Sequence, residues 1–163
     1  MSRFIWLAVF AVVTLAAPRA EAQAPGVPAL LPEGYWTGIV RWRVSHQAGV
    51  GQSTRHLSGS VAVGPSKLRA GKTQVSIKLV SADYIGAEFQ WSVAAGRCAS
   101  GGKPLFPAAL LPDLPINNDG VAELDLDSPF KLEADALYHV NIYMYGAEET
   151  NVVACADLVH RKS

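Results

Sequence analysis

The chain has 163 residues with 14 basic and 14 acidic side chains, and half of its residues are hydrophobic. This length predicts one domain, large enough to bury its own core. A near-neutral chain with scattered Lys and Arg lacks the basic surface that attracts nucleic acid, so that class of partner is excluded. The sequence also has no cationic amphipathic helix that would bind a membrane surface.

The first 22 residues have the pattern of a secretory signal peptide. Arg3 provides the positive start, an apolar run extends from Phe4 to Ala17, and small residues follow, which predicts cleavage after Ala22 or Ala24. The apolar run of about 14 residues is shorter than the roughly 20 that a membrane-spanning helix needs. We therefore expect a secreted protein, periplasmic or extracellular, with no membrane span after cleavage and a net charge near −1.

Residues 23–34 (QAPGVPALLPEG) contain three prolines and two glycines. Proline cannot donate to a β-ladder and glycine loses much conformational entropy on ordering, so this segment predicts a flexible leader. We expect a single folded domain over residues 35–163. From Tyr35 onward, apolar residues alternate with polar ones, which is the period of a β-strand.

Seven segments of the domain show this alternation, and glycine- and proline-rich turns separate them. A long irregular stretch at 99–120 is rich in both residue types and predicts no helix. The predicted strands are Tyr35–Ser45, Arg55–Val63, Lys72–Val80, Glu88–Ala94, Val121–Asp127, Leu137–Tyr145 and Asn151–Val159.

Seven or eight short strands without a helix predict an all-β fold, in the form of a two-sheet antiparallel sandwich with Greek-key connections. A small barrel is the alternative. The chain has two cysteines, Cys98 and Cys155, and an oxidising compartment favours their pairing in a disulfide. A metal thiolate pair and a reactive thiol are the competing interpretations, although no Cys-x-x-Cys motif supports the first.

The part of the chain around the cysteines carries a recognisable pattern. It consists of WSVAAGRC at 91–98, a glycine-rich loop, NDG at 118–120 before a strand, and VACADL at 153–158. Over residues 88–160 this pattern resembles the copper/zinc superoxide dismutase-like family of exported β-sandwiches. The resemblance implies that the loop cysteine bonds to the cysteine of the C-terminal strand.

The resemblance also implies where metal ligands would lie. Members with enzymatic activity carry a His-x-His pair as copper ligands on the strand that enters the loop, and here Ser92 and Ala94 stand at those positions. Alanine has no donor atom and serine is a poor copper ligand. Between Cys98 and Gly120, where such enzymes have zinc ligands, the chain has no histidine. We therefore expect no metal site, no cofactor and no dismutase chemistry.

One face of the predicted strand at 137–145 combines polar and aromatic side chains that could bind a small molecule or a glycan. Its residues are His139, Asn141, Tyr143 and Tyr145. Because the opposite face of this strand is apolar, the same four residues would also suit a solvent-exposed face.

Other chemistry-bearing residues give weaker patterns. A rearranged metal site would need at least three converging donors, such as His46, His56 and His139. Asp125 and Asp127 share one strand face, as in the carboxylate pair of a glycosidase, but alternating acids on an exposed face normally aid solubility. No Gly-x-Ser-x-Gly motif occurs, so a nucleophilic hydrolase is unsupported, and we assign no catalytic residue.

These observations lead to one main hypothesis and two alternatives. The main hypothesis is an exported, non-catalytic, disulfide-stapled β-sandwich that recognises an unknown protein or small molecule, or serves as a structural module of the cell envelope. The first alternative is a residual copper- or zinc-binding protein with dismutase-like activity. The second is a small-ligand or glycan-binding domain.

Overall fold

The computed structural model describes residues 34–43, 56–66 and 69–162. The predicted signal peptide, nearly all of the leader and His46 lie outside these residues. The described part of the chain contains eight β-strands, two short 3-10 helices and no α-helix. Within it, no helix has the length and hydropathy that crossing a membrane requires.

Each of the seven predicted strands overlaps an observed strand, and Val121–Asp127 has identical bounds. The additional strand, β5, has two residues and lies inside the stretch predicted to be irregular, next to a 3-10 helix at Ala108–Leu110. A second 3-10 helix spans Glu149–Asn151. The strands are β1 Tyr35–Trp42, β2 Ser58–Pro65, β3 Thr73–Val80, β4 Glu88–Ala95, β5 Leu114–Pro115, β6 Val121–Asp127, β7 Tyr138–Tyr143 and β8 Val152–Arg161.

All strand pairs are antiparallel, in the order β5-β4-β7-β8-β1-β2-β3-β6. Strands β5 and β6 stand at opposite ends of this order, yet they contact each other through the turn in which Asn117 N–H donates to Val121 O at 2.9 Å. Strand β7 pairs with β4 and not with β6, so the connection from β6 to β7 joins strands that are not neighbours in the sheet. The predicted all-β antiparallel fold is confirmed. The eight strands follow one another in a single, nearly closed sheet, and they do not divide into the two separate sheets of the predicted sandwich.

The interior is filled by the apolar residues of the alternating pattern. In β3, Val75, Ile77 and Leu79 are at most 2% exposed. In β4, Trp91 is fully buried and its Nε1 donates to the carbonyl oxygen of Pro112 at 2.9 Å. Burying a large apolar side chain stabilises the fold by roughly 1.5–3 kcal/mol, so this inner face fixes the register of the strands.

The predicted disulfide between Cys98 and Cys155 is confirmed, with 6.0 Å between the two Cα atoms. It joins the connection after β4 to the middle of β8. The two cysteines are 57 positions apart. In the chain-entropy model, closing a loop of this length stabilises the native state by about 4 kcal/mol.

Candidate functional site

Three neighbouring strands, β4, β7 and β8, bring polar side chains together on the outer face of the sheet. Ser92 pairs with Asn141 and Ala94 pairs with His139 across β4 and β7. Residues directly opposite each other in antiparallel strands project to the same side. The next strand, β8, continues both rows, with Cys155 opposite Asn141 and Asp157 opposite His139.

Residues 96–104, which we call the disulfide loop, cross over this outer face. The loop is bonded to β8 by the disulfide, and Cys98 N–H donates to the Asp157 carboxylate at 2.7 Å. At its far end the chain returns to the edge of β4, where Leu105 N–H donates to Val93 O at 2.8 Å. The loop is therefore fixed to the sheet at both ends.

Gly102 allows the disulfide loop to approach the sheet closely. A Cβ atom at this position would lie 1.7 Å from the Ala95 carbonyl oxygen and 3.1 Å from Cε1 of His139. No side chain other than a hydrogen fits there without movement of the loop. As a result His139 is only 1% exposed, and Ser92 and Ala94 are fully buried.

The buried polar side chains form a small hydrogen-bonded cluster. The Ser92 Oγ and the Tyr143 hydroxyl oxygen are 2.8 Å apart, and Asn141 Nδ2 donates to the same hydroxyl at 3.4 Å. The Nδ1 atom of His139 has no hydrogen-bond partner among the described residues. Buried polar atoms in folded proteins are nearly always paired, so this nitrogen is an exception, as are Trp36 Nε1 and His160 Nε2 elsewhere in the described residues.

This cluster lies at one side of a pocket of about 710 Å³ between the disulfide loop, β7 and the connection from β7 to β8. Pockets that bind small molecules typically have volumes of about 300–1,000 Å³. The charged and strongly polar side chains that line it are Arg43, Lys103, His139, Asn141, Tyr143 and Glu149.

The structure brings together three of the four residues of the predicted ligand face: His139, Asn141 and Tyr143. Tyr145 is separate because β7 ends at Tyr143, and the backbone then turns, with a φ of 66° at Tyr145 and 90% of that residue exposed. The solvent-face alternative does not describe His139 and Tyr143, which are 1% and 4% exposed, whereas Asn141 is half-buried.

The structure does not bring the proposed metal donors into one site. His139 lies beneath the disulfide loop, whereas His56 is exposed before β2 and its backbone N–H donates to Asp83 at 2.8 Å. His46 lies outside the described residues. Among the residues that the structure describes, no group of three or more His, Cys, Asp or Glu side chains is arranged to hold a metal ion.

The two aspartates of the glycosidase interpretation are occupied by neighbours on strand β3 and its preceding turn. Asp125 accepts a hydrogen bond from the Ser76 hydroxyl, and Asp127 forms an ion pair with Arg69 at 3.0 Å. Both carboxylates lie on the outer face of β6. This strand stands at one end of the strand order, and strands β4 and β7 beside the pocket stand near the other end. This arrangement is that of a solubilising surface.

The pocket residues that were not predicted from the sequence include Arg43, Gly102, Lys103 and Glu149. Arg43 directly follows β1, Lys103 belongs to the disulfide loop, and Glu149 lies in the connection between β7 and β8. The disulfide is the signal that could have identified this region. A bond from the loop after β4 to strand β8 takes the loop across β7, which lies between these two strands.

Comparison with known proteins does not extend this description. No protein-family model matches the chain, and no match is found among the curated proteins. A function must therefore be inferred from the pocket and from the sequence.

Proposed function

We propose that this protein is an exported, non-catalytic recognition module that binds a small polar ligand in the pocket beneath its disulfide loop. Export is supported by the signal-peptide pattern of the first 22 residues and by the disulfide, since such bonds form and persist in oxidising compartments. The cell envelope or the extracellular space is the expected location.

The observation that carries the proposal is the buried polar face that opens on the pocket. A sheet covered on both sides normally has apolar residues on both faces. Here the covered outer face instead carries Ser92, His139, Asn141 and Tyr143, and one imidazole nitrogen lacks a partner among the described residues. Burying polar groups costs free energy, so their presence beside a cavity is expected where they serve binding.

The non-catalytic part of the proposal depends on the resemblance to the copper/zinc superoxide dismutase-like family. Ser92 and Ala94, at the positions of the copper-binding pair, lie on one face of β4 beside Asn141 and His139. A hydroxyl and a methyl group do not supply the imidazole donors that redox copper requires. Loss of that chemistry with retention of the covered face supports a binding role.

The test is a ligand screen that monitors intrinsic fluorescence of the mature protein against panels of glycans and small metabolites. We expect at least one saturable response, weakened about twofold to tenfold by Tyr143→Phe, the usual range for one lost hydrogen bond. Tyr145→Phe is the matched control, because this residue is 90% exposed and does not line the pocket.

Two results would contradict the proposal. Silence across both panels would remove the ligand-binding role, and an equal loss of affinity in both tyrosine variants would separate the binding site from this pocket. The thermal unfolding of each variant is recorded alongside, so that a loss of folding is recognised as such.

The rival hypothesis of residual metal chemistry has its own test. The mature protein, purified after expression in metal-replete medium, is analysed for bound copper and zinc and assayed for superoxide dismutation. We expect neither a stoichiometric metal nor turnover. Stoichiometric copper together with turnover would overturn the non-catalytic interpretation.

A further inference from the structure

The pocket is lined by more positively charged than negatively charged side chains. Arg43 and Lys103 line it as cations, and Glu149 is the carboxylate among its lining residues. No ion pair joins any of these three to another described residue. The pocket wall therefore carries an excess of about one positive charge that the described protein does not neutralise.

Both cations are held on fixed backbone. Arg43 N–H donates to Val153 O at 2.8 Å, which attaches the residue to β8 after β1 has ended. The carbonyl oxygen of Lys103 accepts from Ala95 N–H at 3.3 Å, which attaches that residue to β4. These bonds fix where each side chain begins, while the long arginine and lysine side chains keep rotamer freedom with which to reach an anion.

The floor of the pocket offers hydrogen-bonding groups in addition to the two cations. Asn141 uses one amide hydrogen for Tyr143, which leaves the rest of its amide group without a partner among the described residues. His139 also lines the pocket, although its unpaired Nδ1 is itself buried. These groups suit hydroxyl or carbonyl functions of a ligand better than a second charge.

Building on the proposed function, we propose that the ligand is a small organic carboxylate, with its anionic end held by Arg43 and Lys103 and its neutral polar part against His139 and Asn141. A carboxylate carries one charge, which matches the excess of the wall. A phosphate group carries up to two negative charges at neutral pH, so the Glu149 carboxylate would repel it more strongly than it repels a singly charged carboxylate. The arginine fork pairs with carboxylate oxygens in a bidentate geometry.

The experiment is a calorimetric titration of the full mature protein with two matched pairs of probes, glucuronate against glucose and benzoate against benzamide, and with inorganic phosphate. In each pair the ring is the same and only the charged group differs. We expect at least one carboxylate to bind more tightly than its neutral counterpart and than phosphate, and higher salt to weaken that binding.

Charge-removing variants locate the site. Arg43→Gln and Lys103→Gln should each weaken carboxylate binding about tenfold to a hundredfold, the range for a lost hydrogen bond to a charged group. Lys78→Gln is the control, since Lys78 is exposed on β3, away from the pocket, and pairs with Glu123. This control should bind the probe as the parent does.

The outcomes separate this inference from the proposed function. If glucose or benzamide binds as tightly as its carboxylate, or if Arg43→Gln and Lys103→Gln have no effect, the carboxylate assignment is wrong while ligand binding stands. Tighter binding of phosphate would also overturn the assignment. If the carboxylates fail but a neutral compound from the screen binds, this inference alone falls, whereas the absence of any binding compound removes both.

Discussion

The outer face of the sheet differs between its two parts. On β2, β3 and β6 this face is open, and exposed side chains such as Ala62, Lys78 and Glu123 lie on it, with the last two joined in an ion pair at 2.5 Å. On β4 and β7 the corresponding face lies beneath the disulfide loop, and Ala94 and His139 are at most 1% exposed.

This comparison of the two parts shows that a loop crossing a strand can bury its outward side chains while the backbone of the strand keeps its extended conformation. The open part keeps the simple alternation of buried and exposed residues, as in β3. In β4 four consecutive residues, Trp91–Ala94, are buried, although two of them occupy outward positions. The covered part contains a buried imidazole nitrogen that has no partner among the described residues, and it lines the pocket of about 710 Å³, which is why we assign the function to it.

The largest expected effect comes from placing a charge on each face. Ala94→Lys introduces an ammonium group beneath the disulfide loop beside His139, and the Asp157 carboxylate of the same row already accepts from Cys98 N–H, so we expect a loss of about 3–5 kcal/mol in the free energy of unfolding. Ala62→Lys makes the same change on the open face and should alter that free energy by less than about 0.5 kcal/mol. Urea denaturation of the two variants measures both values.

This pair of substitutions tests the comparison directly, because both start from an outward-facing alanine in a strand. Equal destabilisation, or a well-tolerated lysine at position 94, would mean that the loop does not cover β4 as described.

The next effect concerns the bond that holds the loop in place. Replacing both cysteines, as Cys98→Ser with Cys155→Ala, should lower the free energy of unfolding by about 2–5 kcal/mol, the range for native disulfides of small secreted domains. Hydrogen exchange should accelerate over residues 96–104 more than over β3, because only the loop loses its attachment. Uniform acceleration across the sheet would contradict this separation of the two parts. The parent protein treated with a reductant serves as the second comparison.

The smallest expected effect comes from two glycines of the disulfide loop. Substituting them separates the cost of a steric contact, at Gly102, from the cost of a positive φ, at Gly101. Gly102→Ala should cost about 1–3 kcal/mol of folding free energy, because its Cβ would meet the backbone of Ala95 and the ring of His139. Gly101→Ala is the neighbouring control. Its φ of 65° costs about 1 kcal/mol for an L-residue, and the nearest atom to its Cβ is the flexible Glu149 carboxylate.

The readout for this pair is the accessibility of His139 to diethylpyrocarbonate, followed by mass spectrometry of the modified peptide. We expect greater modification in Gly102→Ala than in Gly101→Ala, because only the first substitution lifts the loop from the imidazole. Unchanged protection of His139 in both variants would show that Gly102 is not needed for the cover.

The strands could be predicted from the sequence because buried apolar residues alternate with exposed polar residues along each of them. Val75, Ile77 and Leu79 carry this signal in β3, and Val121–Asp127 was placed with correct bounds. The sequence could not predict β5, since a two-residue strand has no period of its own and forms only where β4 offers an edge. Strand order was likewise hidden, because pairing between distant segments leaves no local pattern.

The candidate site was predicted in part, for the same physical reason. The parity of β7 selected His139, Asn141 and Tyr143 correctly as one face, because parity is a local property of a strand. Whether that face met solvent or a cover depended on residues 96–104, more than 30 positions earlier in the chain. The place of Tyr145 was missed because a turn with positive φ ended the strand before it.

The all-β class, the approximate positions of seven strands and the pairing of the two cysteines follow from the sequence alone. The period of the hydrophobic residues and the number of cysteines are properties of the linear chain. Three features are visible only in the folded protein: the near closure of the sheet, the disulfide loop above β4 and β7, and the pocket that Arg43 and Lys103 line. These features arise from contacts between segments distant in sequence, and such contacts depend on how the strands pair and where the loop can reach.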